Sequence, residues 1–193
     1  MNYKLTTIRI AFIGVYIALI YGLKLALSFI PNVEVVTLLM TMGAVYMPYW
    51  AVILSVMSFN LLELVTYGFG DWWVFYMLVW PLLVTICSLF KKSILKHWWI
   101  AVIIMTLFGF LFGTLNTGVR MFFYGFNGAM AYWVAGFTFD LVHGVANMLV
   151  GVALTVPVMK VMNIYMPRIF NKPWKIEKKW DIENDKPAIE QRT

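Results

Sequence analysis

The chain has 193 residues, of which 62% are hydrophobic and only 12% charged, with a formal net charge of +6. Soluble domains carry about twice that charged fraction, so the composition excludes an ordinary soluble enzyme or binding module and points to one membrane domain. The basic excess is not a nucleic-acid footprint, because it lies beside apolar runs and no basic, aromatic RNA-binding module accompanies it.

The first apolar segment, 8–29, stops at the turn signal Pro31-Asn32. No small-residue cleavage site follows it, so it is expected as a retained helix. Ala11, Gly14, Ala18 and Gly22 recur on one of its faces, where small residues let a second helix approach closely. That face either packs within the chain or docks a separate membrane subunit.

The second segment, 35–48, follows Glu34 and falls short of the roughly 20 residues a span needs. It is expected as a partial or tilted helix packed against protein. The third, 50–67, carries Asn60 and Glu63 at i, i+3, on one face of a helix. Asp71 lies in the next connection, where solvation is the default. The fourth, 72–90, contains Trp73, Trp80 and Pro81 and ends at Lys91-Lys92. Its only cysteine, Cys87, forms no disulfide within one chain and reads as a small buried apolar residue. The fifth segment is 98–118, with Asn116 near its end and Arg120 just beyond. Arg120 is either a cation snorkelling to the surface or an anchor for an anion or amide at the mouth of a cavity.

The sixth segment, 129–162, is long for one span and is expected to tilt, to kink at Pro157, or to extend into the cytoplasm. It carries Asp140, His143, Gly144, Asn147 and Gly151, which form one polar and small stripe on a helix. A helix entered near residue 129 brings Asp140 about 16 Å down, where a charge costs on the order of 3 kcal/mol. The stripe therefore faces protein or a wet cavity. It either lines a pocket or clamps a neighbouring helix, with the glycines favouring close packing. Aromatic residues crowd the same half of the molecule, among them Trp72, Trp73, Tyr76, Trp80, Tyr132 and Trp133. A pocket walled by aromatic faces with a few polar anchors suits an organic ligand.

Of the 15 basic residues, all but Lys24 and Arg120 fall on one side if both termini do, so the positive-inside rule places both termini in the cytoplasm of a plasma-membrane protein. Residues 1–166 read as the membrane domain and 167–193 as a polar cytoplasmic tail. No phosphate loop, HExxH or paired-histidine site is present, so neither a cofactor nor a metal is expected, and ATP hydrolysis by a P-loop is excluded. No matched broken helices appear in two halves, which argues against an inverted-repeat transporter.

In order along the chain, "AFIGVYIALIYG", "SFIPNVEVVTLL", "LLELVTYGFGDWWVFYMLVWP" and "AYWVAGFTFDLVHGVANMLVG" resemble the S components of energy-coupling factor transporters, the membrane subunits that capture vitamins. The resemblance covers roughly 8–162. It implies a six-helix bundle with an outward-opening pocket covered by the loops between helices one and two, three and four, and five and six. It also implies partnership with a transmembrane coupling subunit and two ATPases, and delivery by rotation of the whole subunit in the bilayer. The family docks through a small-xxx-small pattern. Ala11 followed by Val15 departs from it, whereas Gly14 and Ala18 keep the spacing. Within the family the chain looks most like the branch linked to cobalamin, on "PNVEVVT" and "FDLVHGVANM", with pantothenate next because Arg120 would meet a carboxylate.

The expected substrate-binding residues are Asn60, Glu63, Trp73, Trp80, Asn116, Arg120, Asp140 and His143. Rival readings are a membrane enzyme using Asp140 and His143 as an acid–base pair, a single-chain proton-coupled transporter with Asp140 and Glu63 as relay groups, and an assembly factor whose stripe only packs helices.

Overall fold

A computed structural model describes residues 7–170, and these are almost entirely helical, with no strand among them. The elements are α1 (Thr7–Leu27), α2 (Val36–Tyr46), α3 (Tyr49–Tyr67), α4 (Asp71–Leu89), α5 (Lys91–Lys96) and α6 (Trp99–Phe170). Four of them, α1, α3, α4 and α6, are long and apolar enough to cross a membrane. Leu54, Leu61, Val65, Leu78, Leu111, Leu149 and many other apolar side chains stay exposed on the outside of the bundle, as helices facing lipid require.

The breaks follow the turn chemistry of the sequence. Pro31-Asn32 ends the first helical run, with Asn32 at φ 61°, a left-handed conformation that asparagine tolerates. Gly68, at φ 77°, ends α3. Gly125 (φ 68°, ψ 178°) is the one non-helical residue within α6 and divides it into a first arm, 99–124, and a second arm, 126–170. The connection between these arms is thus a single glycine rather than a loop, so the expected cover from that direction does not form. Pro157 and Pro167 lie inside the second arm, which continues to Phe170. The expected tail falls, from 171 onward, outside the described residues.

Long-range contacts fix the direction of each helix. Lys24 near the end of α1 meets Glu63 near the end of α3. Tyr49 at the start of α3 meets Thr85 near the end of α4, 2.9 Å between hydroxyls. Phe12 near the start of α1 stacks edge-on against Phe170 at the end of α6. The turns at 28–35, 68–70 and Gly125 therefore share one end, and Lys91, Lys92, Lys96, Lys160 and Arg168 belong to the other half.

At the centre stands α2. Every residue from Val36 to Val45 is buried, with α4 and α6 as its main neighbours and α1, α3 and α5 completing the ring. A helix too short to span is relieved of facing lipid because longer helices surround it. Of its two threonines, Thr41 is accommodated by the same packing, the Cys87 thiol lying 3.6 Å from its hydroxyl with both residues buried, whereas the buried Thr37 hydroxyl has no hydrogen-bond partner.

Candidate functional site: an aromatic cavity with three ionisable side chains

The stripe of the second arm faces the first arm, and its members divide between two tasks. Asp140 accepts the backbone N–H of Gly113 at 2.8 Å through Oδ1 and that of Thr114 at 3.1 Å through Oδ2. Asn147 Nδ2 donates to the Met105 carbonyl at 3.3 Å. Gly144 lies against Gly109, and Gly151 against Met105 and Val102. Lipid tails give two apolar helices little reason to associate, so close packing and interhelical hydrogen bonds must hold them. Asp140, Gly144, Asn147 and Gly151 supply both. They form the clamp that was one of the two readings of the stripe.

His143 does something else. Its Nε2 lies 3.5 Å from Glu34 Oε1, its ring meets Phe112 edge-to-face at 5.0 Å, and it borders a partly open cavity of about 300 Å³. The other walls come from six further parts of the chain. The end of α1 gives Lys24 and Leu27. The 28–35 connection gives Ser28, Ile30, Pro31, Asn32, Val33 and Glu34. Val36 belongs to α2, Phe59 to α3, Tyr76 and Trp80 to α4, and Phe112 to the first arm of α6. Phe59, Tyr76, Trp80 and Phe112 are locked into one cluster by edge-to-face and tilted contacts at 5.7–6.2 Å, so the aromatic wall is formed before any ligand arrives.

Three ionisable side chains reach the cavity: Lys24, Glu34 and His143. The Lys24 ammonium is paired with Glu63, which is 1% exposed. It also lies over the rings of Tyr67 at 5.0 Å, Tyr76 at 5.7 Å and Phe59 at 5.8 Å. Glu34 Oε2 accepts the Thr37 N–H at 2.8 Å, which ties the carboxylate to the amino end of α2, where the helix dipole favours it. The Trp80 indole N–H is buried and has no hydrogen-bond partner.

Of the expected binding residues, Trp80 and His143 line this cavity. Glu63 touches it through Lys24. Asn60 and Trp73 stand behind its wall: the Trp73 indole donates to the Asn60 carbonyl at 2.8 Å, and Asn60 Nδ2 donates to the Tyr76 carbonyl at 3.2 Å. Together they brace α3 against the start of α4. Asn116 Nδ2 donates to the Tyr132 hydroxyl at 3.0 Å, and Arg120 pairs with Asp71 at 3.1 Å while its guanidinium lies 4.1 Å from the centre of the Tyr132 ring. That cluster near Gly125 is separate from the cavity lining. Asp140 belongs to the clamp and is not bonded to His143. Asp71, expected as a solvated loop residue, is half-buried in its ion pair.

Lys24, Phe59 and Phe112 were not anticipated as lining. Lys24 had a signal, being a lysine late in an apolar span on the side poor in cations. Phe59 and Phe112 had none, because a phenylalanine in a membrane helix reads the same whether it faces lipid, core or ligand.

The small residues of α1 occupy the opposite side of that helix from its buried Ile13, Tyr16, Ile17 and Ile20. Ala11, Gly14, Ala18 and Gly22 are all exposed, and a methyl group added to Gly14 or Gly22 would meet nothing within 4 Å. Of the two readings of this face, packing within the chain is therefore not what it does among the described residues. No group of three or more His, Cys, Asp or Glu side chains placed to hold a metal occurs among them either.

Compared with protein-family models, curated proteins and solved structures, the chain gives no match.

Proposed function

We propose that the chain is a solute-capturing membrane subunit of the energy-coupling factor type, an S component that binds a vitamin or related micronutrient. In this reading it spans the plasma membrane six times, with both termini cytoplasmic, the two arms of α6 counting as separate spans and α2 as a short central one. Among the described residues, Arg9, Lys91, Lys92, Lys96, Lys160 and Arg168 lie in the half away from the cavity and only Lys24 and Arg120 lie in the half that holds it, which supports an outward-facing cavity by the positive-inside rule.

The observation that carries the proposal is the preformed aromatic cavity bounded by α1, the 28–35 connection, α2, α3, α4 and both arms of α6. A site assembled from every helix but α5 suits a body that moves as one piece. The bare, small-residue face of α1 supports a partner helix there, belonging to a coupling subunit that brings two ATPases. The cavity volume of about 300 Å³ is at the lower end for small-molecule sites. Size therefore ranks pantothenate ahead of cobalamin, a far larger molecule that would need the cavity to open.

Native mass measurement on protein purified in mild detergent tests the proposal. A stoichiometric small molecule bound to the intact chain, lost when Phe59 and Phe112 are both replaced by alanine, is the expected result. An empty protein that takes up no solute, alone or with a coupling module, would remove the proposal in favour of a purely structural role.

A further inference from the structure

The four acidic residues of the described chain, Glu34, Glu63, Asp71 and Asp140, all lie in the half that holds the cavity, and only two basic residues, Lys24 and Arg120, accompany them. Three of the four carboxylates are accounted for. Glu63 has Lys24, Asp71 has Arg120, and Asp140 has two backbone amides. Glu34 is the one left facing the cavity without a lysine or arginine. One oxygen takes the Thr37 amide, and the other faces only the imidazole of His143 at 3.5 Å. Lys24, Glu63 and Glu34 bring one ammonium and two carboxylates to the site, and the ammonium is held by Glu63. A carboxylate in a poorly solvated place needs a cation. The surfaces around it are the faces and edges of Phe59, Tyr76, Trp80 and Phe112, and aromatic faces attract cations as well.

Resting on the capture reading above, we infer that the guest is a small organic cation, its positive charge set toward Glu34 and its apolar or ring portion against the aromatic wall. Lys24 does not make the site anionophilic, because its ammonium is already held by Glu63 and three aromatic rings. The inference turns the expected preference around. An anion such as pantothenate passes the size limit and fails on charge.

The test uses the full chain in detergent with three probes: thiamine, an organic cation of two linked aromatic rings with ring nitrogen acceptors; pantothenate, an anion; and cyanocobalamin, a large molecule. Titration is followed by tryptophan fluorescence, and the molecule that copurifies is identified by mass. Saturable thiamine binding, or a copurified organic cation that thiamine displaces, is expected. Glu34→Gln keeps an oxygen for the Thr37 amide and should weaken the cation at least tenfold with an unchanged melting temperature. Gly118→Ala, outside the cavity lining and with room for a methyl group, should leave cation affinity as it was. Pantothenate or cyanocobalamin binding, or a copurified anion, would overturn the charge assignment while leaving capture intact. No binding by any probe and an empty purified protein would overturn capture and this inference together.

Discussion

Gly109 and Gly144 meet across the two arms of α6 so closely that a methyl on Gly109 would stand 2.8 Å from the Gly144 Cα. A methyl on Gly144 would stand 2.2 Å from Phe110 Cδ1. Neither position has room, and the obstacle at Gly109 is backbone, which cannot rotate away. Gly109→Ala and Gly144→Ala should each lower stability by about 1–3 kcal/mol or more, read as a drop in thermal midpoint in detergent. Gly118→Ala is the control. An added methyl there meets nothing within 4 Å, so the change should be neutral or gain up to about 1 kcal/mol from helix propensity.

Asp140 separates the clamp from the catalytic and relay readings. Its carboxylate holds the Gly113 and Thr114 amides, so Asp140→Ala should cost about 1.5–3 kcal/mol of stability, the range for hydrogen bonds to charged groups. Ligand affinity measured below the melting transition should stay near that of the native chain. A protein of undiminished thermal stability that has lost solute binding or uptake would show that Asp140 acts on the solute or on a proton.

The Lys24–Glu63 pair should respond asymmetrically. Lys24→Met leaves Glu63, 1% exposed, as an uncompensated buried charge, a loss of about 3–5 kcal/mol. Glu63→Gln leaves Lys24, which at 23% exposure is able to turn its ammonium toward water, and should cost clearly less. Equal losses from the two single changes, in thermal unfolding at matched detergent and salt, would contradict this account.

Trp80→Phe removes a buried N–H that has no partner and keeps the aromatic wall. The stability of the empty protein should therefore be unchanged or rise by about 1–3 kcal/mol, the cost of an unsatisfied buried donor. Affinity for the guest should stay near that of the native chain, because the aromatic wall is kept. Calorimetric titration and thermal unfolding on the same preparation read both, and a destabilised variant would refute the assignment.

Gly14→Leu and Ala18→Leu place bulk on the exposed face of α1, where no described residue comes within 4 Å of a methyl group added at Gly14. Both should leave melting and ligand binding unchanged and abolish copurification with a coupling subunit. Retained assembly with both leucines present would place the docking surface elsewhere.

The sequence by itself determined most of the helices, but not the short helix Lys91–Lys96 or the helical course of 119–128, which is broken only at Gly125. A membrane helix is written in a contiguous apolar stretch and the turn residues at its ends, and both are local. Hence Pro31-Asn32 was legible as a break and the segment 35–48 as a helix too short to span. The stripe from Asp140 to Gly151 was legible as something that must be hidden, because a mid-depth carboxylate is costly wherever it points.

Only the tertiary structure decided what each hidden group faces. Asp140 and His143 are one helical turn apart, yet the first meets backbone amides of the neighbouring arm and the second meets Glu34, separated from it by 109 positions in sequence. Lys24 became part of the cavity because α1 and α3 end side by side, and Phe59 and Phe112 because three helices turn their rings toward the same space. Such pairings depend on crossing angles and axial offsets between helices, which no stretch of one helix encodes alone.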